Sequence, residues 1–190
     1  MKTIAIDLDD TLNNFTETLQ QTAFTYDPTD GISEEKFHNY LKKMRNGDRD
    51  SSELLSNEYS SFCGKIISLC HEQAQARPDG VAFMQWLRAH QWRIVICTFS
   101  DLRSDSDRIR TWLKDHQIPY DYLFMAMNKL DFCNAWKIDI LVDDHVLNVQ
   151  YGSRYGIQVF YPIMSKHKTV ELNGARGFTT FNELITWIQN

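Results

Sequence analysis

Basic charge is what this chain of 190 residues has too little of: 20 lysines and arginines stand against 25 aspartates and glutamates, a net charge of −5. Proteins that coat nucleic acid need a basic surface to release counterions from the phosphate backbone, so that class is excluded. Long apolar runs are also missing. None approaches the roughly 20 residues that span a bilayer, and Met-Lys-Thr-Ile-Ala-Ile meets Asp7, Asp9 and Asp10 before a secretory signal could form. Cys63, Cys70, Cys97 and Cys133 make no Cys-x-x-Cys pair and have no histidine at zinc spacing. Cys63 and Cys70, on one helical repeat, read as buried thiols of one helix face. The expectation is a reduced, cytoplasmic protein without membrane attachment. Internal repeats and low-complexity tracts are absent too. What the chain does have is 43% hydrophobic and 13% aromatic residues, enough for a packed core and too much for intrinsic disorder. Its length suits one domain, or one domain carrying a sizeable insertion.

Thr3 to Leu8 is a short apolar run closed by carboxylates, which predicts a buried strand with polar groups at its carboxyl end. The pattern from Asn14 to Ala76 is then helical. Phe15, Leu19, Ala23 and Tyr26 share one face; Phe37, Tyr40, Leu41 and Met44 follow the Ser33 cap and stop at Asn46-Gly47. Leu55, Tyr59, Phe62, Ile66 and Leu69 mark a longer helix opening near Ser51 or Ser52. Nothing in this stretch reads as a strand. Beyond the turn-rich Arg77-Pro78-Asp79-Gly80, strands and helices alternate. The predicted strands are Arg93–Thr98, Tyr122–Met125, Asp139–Val142 and Ile157–Tyr161; the helices are Val81–His90, Asp107–His116, Asn148–Tyr155 and Phe181–Ile188. Such alternation implies right-handed βαβ units in a Rossmann-like parallel sheet with helices on both faces. The expected organisation is an α/β core of residues 1–13 and 77–190, with an all-helical insertion at 14–76 directly after the first strand. That insertion holds ten acidic and six basic residues, so most of the negative charge resides there.

Ligands of open parallel sheets bind at the carboxyl ends of the strands. Here those ends carry Asp7 and Asp9, then Thr98, then Asp143 and Asp144. Four carboxylates converging in one crevice cannot all stay ionised without counter-charge. A hard divalent cation with oxygen ligands supplies it, and Mg²⁺ suits a few carboxylates combined with a substrate phosphate. Phosphoryl transfer is the chemistry such a set supports: a carboxylate nucleophile, a second carboxyl as acid and base, and cations on the phosphoryl oxygens. Ser100 competes with Thr98 as the hydroxyl. Lys137 competes with Lys129 as the side-chain cation, but it precedes the Asp139 strand, at the opposite end of the sheet. Asp10 reads as a turn or helix-entry residue, and Asp101, Asp105 and Asp107 as the acidic start of a helix.

Four segments together resemble the haloacid dehalogenase-like hydrolase superfamily. They are Ile4-Ala5-Ile6-Asp7-Leu8-Asp9-Asp10-Thr11-Leu12, Ile94-Val95-Ile96-Cys97-Thr98, Lys129 after Met125-Ala126-Met127-Asn128, and Ile140-Leu141-Val142-Asp143-Asp144. The resemblance implies that Asp7 forms an aspartyl-phosphate, that Asp9 is the general acid and base, and that Thr98 and Lys129 hold the phosphoryl group. It further implies Mg²⁺ bound by Asp7, Asp9 (through its carbonyl), Asp143 and Asp144. An acid two residues after the nucleophile marks phosphatase chemistry rather than dehalogenation.

The insertion occupies the position of one cap type in this superfamily, which implies a small phosphorylated substrate rather than a macromolecule. Ile96-Cys97-Thr98, Tyr120-Asp121-Tyr122-Leu123 and the Gly156-Ile157-Gln158-Val159 strand are similar to the 5′-nucleotidase branch, implying a nucleoside or deoxynucleoside monophosphate. Phe99 after Thr98, and Asp10 where glycine is common, depart from that branch. The aromatics Phe24, Tyr26, Phe37, Tyr40, Tyr59 and Phe62 are expected in the insertion's core, with Phe15 the better candidate for meeting a base. A phosphotransferase using the same intermediate, a sugar-phosphate phosphatase and a non-catalytic phospholigand-binding protein are the alternatives.

Overall fold

The computed structural model describes residues 1–47, 56–99, 106–125, 128–164, 167, 172 and 174–189. In chain order, strand β1 (Thr3–Ile6) is followed by helices α1 (Phe15–Gln21), α2 (Glu34–Asn46) and α3 (Asn57–Gln73). Then come α4 (Pro78–Ala89), β2 (Arg93–Thr98), α5 (Ser106–Asp115), β3 (Tyr122–Met125), α6 (Lys129–Ala135), β4 (Ile140–Val142) and α7 (Val146–Tyr151). Strands β5 (Gln158–Pro162) and β6 (Ala175–Phe178) and helix α8 (Phe181–Gln189) complete the chain. The chain divides into two compact units, Met1–Asn14 with Gln75–Asn190, and Phe15–Ala74.

The first unit is a six-stranded sheet in the order β3-β2-β1-β4-β5-β6, with every pairing parallel. It is an α/β Rossmann-like fold. Its central strands are apolar on both faces because both are covered. Ile4, Ile6, Ile94, Ile96, Ile140 and Val142 face the cluster built by Phe83, Met84 and Leu87 of α4, Ile109, Trp112 and Leu113 of α5, and Phe181 and Leu184 of α8. Ala5, Val95, Cys97 and Leu141, alternating with them, face Leu130, Phe132 and Cys133 of α6 and Val149 of α7. Strand order reverses at β1: the chain steps outward through β2 and β3, then returns to β4 on the other side of β1. The carboxyl ends of β1 and β4 therefore flank the switch point, where open α/β sheets bind ligands.

Two elements were not evident from the sequence. Helix α6 is short but well started: the Asn128 side chain accepts from the Asp131 amide at 3.1 Å and donates to its carboxylate at 2.6 Å. This reciprocal cap was readable as Asn-x-x-Asp. Strand β6, Ala-Arg-Gly-Phe, buries only Phe178 and lies at the sheet edge, so it lacks the apolar alternation that signals a strand. The Arg77–Gly80 stretch is no turn beyond its first residue; Pro78 takes the first helical position of α4. The helical stretch expected at Asn148–Tyr155 begins earlier and tightens into a 3-10 turn at Gly152–Tyr155.

The second unit is a helical bundle whose buried residues include Leu19, Phe37, Tyr40, Leu41, Tyr59, Phe62, Ile66 and Cys70, with Phe15, Phe24 and Tyr26 packed against them. Phe37 and Phe62 meet edge to face at 5.6 Å, as do Tyr40 and Tyr59 at 4.8 Å. Phe15 stacks at a tilt on His71 at 5.0 Å. Cys70 is buried and Cys63 half-buried on the same helix. Helix α1 stops at Gln21, short of Ala23 and Tyr26. Arg45 donates from Nε to the Leu19 carbonyl at 3.0 Å and from Nη2 to the Thr22 carbonyl. A guanidinium thus takes carbonyls that continued helix would have used. Helix α3 opens at Ser56, whose hydroxyl accepts from the Tyr59 amide at 3.1 Å, rather than at Ser51 or Ser52; Ser51, Ser52 and Leu55 lie outside the described residues.

Candidate active site

Sheet geometry alone brings Asp7 and Asp143 together. Ile6 is in register with Val142, so the next residue of each chain, Asp7 and Asp143, leaves the sheet at the same level. The Asp7 amide extends the ladder by donating to the Val142 carbonyl at 2.9 Å, and Asp143 does the same to Phe160 at 3.1 Å. By two-residue alternation both follow Ala5 and Leu141 toward the face covered by α6.

Helix α6 opens with Lys129, and its ammonium meets both carboxylates: 2.5 Å to Asp7 Oδ1 and 2.9 Å to Asp143 Oδ2. A cation at a helix N-terminus opposes the helix dipole, so these carboxylates are what holds it there. Lys129 is 5% exposed, Asp7 4% and Asp143 0%, making this a dry ion cluster. Asp143 is further fixed by the His145 amide on Oδ1 at 2.7 Å and by Asn148 Nδ2 on Oδ2 at 3.1 Å. Thr11 Oγ1 lies 3.4 Å from Asp7 Oδ2.

Asp144, also buried, joins Asp7 and Asp143 in a group whose ligand oxygens all lie within 4.8 Å of one another. One residue not singled out from the sequence helps to hold it. The ring of His167 donates from Nε2 to the Asp144 carbonyl at 2.7 Å and accepts at Nδ1 from the Met164 amide at 3.1 Å. A carbonyl can only accept and an amide N–H can only donate, so these partners select the neutral Nε2–H tautomer. His167 stands in a stretch without apolar periodicity, which left no sequence signal for it.

Electrostatics sharpen the picture. Burial pushes the Asp7 carboxyl well above the usual carboxylate range; the Lys129 ammonium opposes this, while Asp143, Asp144 and Asp9 add to it. Burial acts to lower Lys129, but the charges and hydrogen bonds of Asp7 and Asp143 outweigh it and hold the ammonium well above its ordinary value. Three buried carboxylates come together here, and the Lys129 ammonium bonds two of them, Asp7 and Asp143. Oxygen donors at this spacing fit a hard divalent cation, with Asp7, Asp143 and Asp144 as the residues that would hold it.

None of the other candidates among the described residues belongs to this three-carboxylate group. Asp9 lies outside the three-carboxylate group; its Oδ1 accepts from Asn13 Nδ2 at 3.0 Å. Asp10 takes a positive φ of 58° in the turn after β1, a conformation aspartate tolerates better than most residues. Thr98 closes β2, buried, on the strand beside β1, and no hydrogen bond among the described residues ties it to the carboxylates. Its competitor Ser100, together with Asp101 and Asp105, lies outside the described residues; Asp107 stands in the first turn of α5. Lys137 is exposed in the turn before β4, away from the cluster. On the neighbouring strand β2, the Cys97 thiol is raised far above its usual range by its hydrogen bond with Cys133 and by burial. It therefore stays protonated and takes the place of a small apolar residue.

No family model matches the chain, and no curated protein matches it. Solved structures do. A haloacid dehalogenase-like family hydrolase from Streptococcus pneumoniae superposes with a TM-score of 0.68 at 15% identity, covering 100% of this chain and 99% of that one. A HAD phosphatase from Thermococcus onnurineus gives 0.60 at 18%, covering 99% and 98%. A HAD-hydrolase from Bacillus subtilis bound to magnesium gives 0.60 at 12%, covering 100% and 99%. The fold is thus the one these hydrolases share. No helix among the described residues is long and apolar enough to cross a membrane.

Proposed function

We propose that this chain is a Mg²⁺-dependent phosphomonoesterase of the haloacid dehalogenase-like superfamily, acting on a small phosphorylated metabolite through an aspartyl-phosphate on Asp7. The observation that carries this reading is the buried cluster of Asp7, Asp143 and Asp144 around Lys129 at the switch point of the sheet. Three carboxylates whose oxygens lie within 4.8 Å of one another, two of them bonded to Lys129, form a donor set suited to a hard divalent cation. The fold shared with a HAD phosphatase and with a magnesium-bound HAD-hydrolase supports the same reading.

In the proposed reaction a carboxylate oxygen of Asp7 attacks phosphorus as the bond from phosphorus to the leaving oxygen breaks. Asp9 gives its proton to that oxygen, releasing an alcohol. Asp9, now a carboxylate, takes a proton from water as the water attacks the phosphoryl group; the bond to Asp7 breaks and phosphate leaves. Lys129 keeps an ammonium against Asp7 throughout, where it offsets charge on the transferring oxygens, and Thr98 hydrogen-bonds one of them. Mg²⁺ held by Asp7, Asp143, Asp144 and the Asp9 carbonyl would supply the charge that draws in a phosphate dianion. The helical unit after β1 is assigned the part of a cap, favouring small substrates, and nucleoside and deoxynucleoside monophosphates head the panel to be tried.

Hydrolysis of 4-nitrophenyl phosphate is expected with Mg²⁺ and not after chelation, returning when Mg²⁺ is restored. Turnover indifferent to the chelator would remove the metal, and no turnover of any phosphate ester would remove the enzyme. Equal rates on sugar phosphates and nucleotides would remove the nucleotide preference. His167→Ala is expected to weaken Mg²⁺ binding, read by titration calorimetry, by about 10- to 100-fold, the usual effect of removing a partner that orients a ligand. Unchanged affinity would show that Asp144 needs no such support.

A further inference from the structure

We propose that Asn13 is the positioning residue for the acid Asp9, an inference that rests on the phosphatase reading above. Leu12 N donates to the Leu8 carbonyl at 2.9 Å and Asn13 N to the same carbonyl at 3.2 Å, closing a helical turn directly after β1. Residues four apart on such a turn meet, which brings Asn13 back over Asp9. The Asn13 side chain then reaches both Asp10 and Asp9. Its Oδ1 accepts from the Asp10 amide at 3.0 Å, and its Nδ2 donates to Asp9 Oδ1 at 3.0 Å. The amide orientation follows from chemistry: a backbone N–H must face an oxygen, so the NH₂ must face Asp9.

Asn13 is 2% exposed, while Asp9 and Asp10 are half-buried. Its backbone is held as well. It bridges Ala76 in antiparallel fashion, between Asn14 N to Gln75 O at 3.2 Å and Arg77 N to Leu12 O at 2.8 Å. The side chain therefore projects from a fixed point onto a turn that contains the positive φ of Asp10. Its consequence for Asp9 is specific. With Oδ1 accepting from an amide N–H, the proton of the acid form is carried on Oδ2, and the carboxyl plane is fixed. A general acid must present its proton to the leaving oxygen in one direction, so fixing that plane is a catalytic task.

Asn13→Asp still offers an oxygen to the Asp10 amide but turns a second carboxyl, in place of the N–H, toward Asp9. The experiment compares kcat/KM for 4-nitrophenyl phosphate, whose leaving group departs with little help from an acid, and for a simple alkyl phosphate, whose leaving group needs the proton. kcat/KM covers the steps up to departure of the alcohol and omits hydrolysis of the aspartyl-phosphate. The variant is expected to lose about 10²-fold on the alkyl ester, within the range general acid catalysis supplies, and at least tenfold less on the nitrophenyl ester. In an Asp9→Asn background the same substitution is expected to add nothing. Equal losses on both esters, or losses that add to those of Asp9→Asn, would overturn the proposal. Asn13→Ala gives a second variant, and its thermal midpoint and Mg²⁺ affinity tell whether a loss is merely unfolding. If the unaltered chain hydrolyses no phosphate ester of the panel, the phosphatase reading fails and this one with it; selective failure in the variants strikes at Asn13 alone.

Discussion

Asp7→Asn loses turnover by about 10⁴-fold or more while the chain stays folded, because the residue serves chemistry against the interest of stability. An amide cannot attack phosphorus or carry the phosphoryl group, so no slower version of the same path remains. Stability follows a different account. Burial and the carboxylates of Asp143, Asp144 and Asp9 all push Asp7 toward its neutral form, with Lys129 alone opposing them. Replacing a carboxylate that the fold already resists charging removes repulsion, and Asn keeps the shape. What is lost is the charge-assisted bond to Lys129, worth about 1.5 to 3 kcal/mol, against relief of similar size. The metal-free variant is therefore expected to unfold within a few degrees of the parent, and Mg²⁺ is expected to raise its midpoint less than the parent's. Scanning calorimetry with and without Mg²⁺, beside a nitrophenyl phosphate assay, reads both halves. Residual activity above about one percent would mean another nucleophile. A collapse of the metal-free fold would mean that Asp7 is an ordinary structural ion-pair partner.

The parts of this site differ in how visibly the sequence announces them. Asp7 and Asp143 end apolar runs, and apolar runs in an alternating chain are parallel strands; the register of Ile6 with Val142 then does the rest. Lys129 was visible as a residue type at a plausible interval, but its place at the head of α6 needed the Asn128 and Asp131 cap to be read as a helix start. Asn13 and Asn148 carried no periodic signal, since an amide reaching a carboxylate is set by local turns and not by burial pattern. His167 and β6 follow β5, where a polar, glycine-containing stretch hides both, and only tertiary contact with Asp144 and β5 gives them roles. Fold-level pattern was thus legible wherever burial repeats along the chain, and the supporting groups of the site were not, because their partners come from loops.

Lys129→Met is expected to damage the fold more than any other single change at this site, and to leave damage that Mg²⁺ repairs in one respect only. Methionine fills the volume of the lysine stem, so the change is mainly the loss of the ammonium. That ammonium bonds Asp7 Oδ1 and Asp143 Oδ2 in a cluster nearly closed to water. Its removal takes the ammonium from Asp7 and Asp143, and stripping one partner from a buried ion pair costs about 3 to 5 kcal/mol. Set against a total stability of about 5 to 15 kcal/mol, that is a large share. In a chain of this size it corresponds to a midpoint lowered by about 10 °C in the metal-free protein. Mg²⁺ supplies positive charge to the same carboxylates, so it should stabilise the variant by more degrees than it stabilises the parent, through binding to the folded state alone. Turnover should not follow. The phosphoryl oxygens still lack the ammonium, and removing one such stabilising group costs about 10²- to 10³-fold. Stability recovered by Mg²⁺ with activity still lost would separate the two cationic roles, one shared by metal and lysine, the other belonging to the lysine. A metal-free variant as stable as its parent would instead show that the carboxylates shed their charge by taking up protons, and that Lys129 does not hold the cluster together.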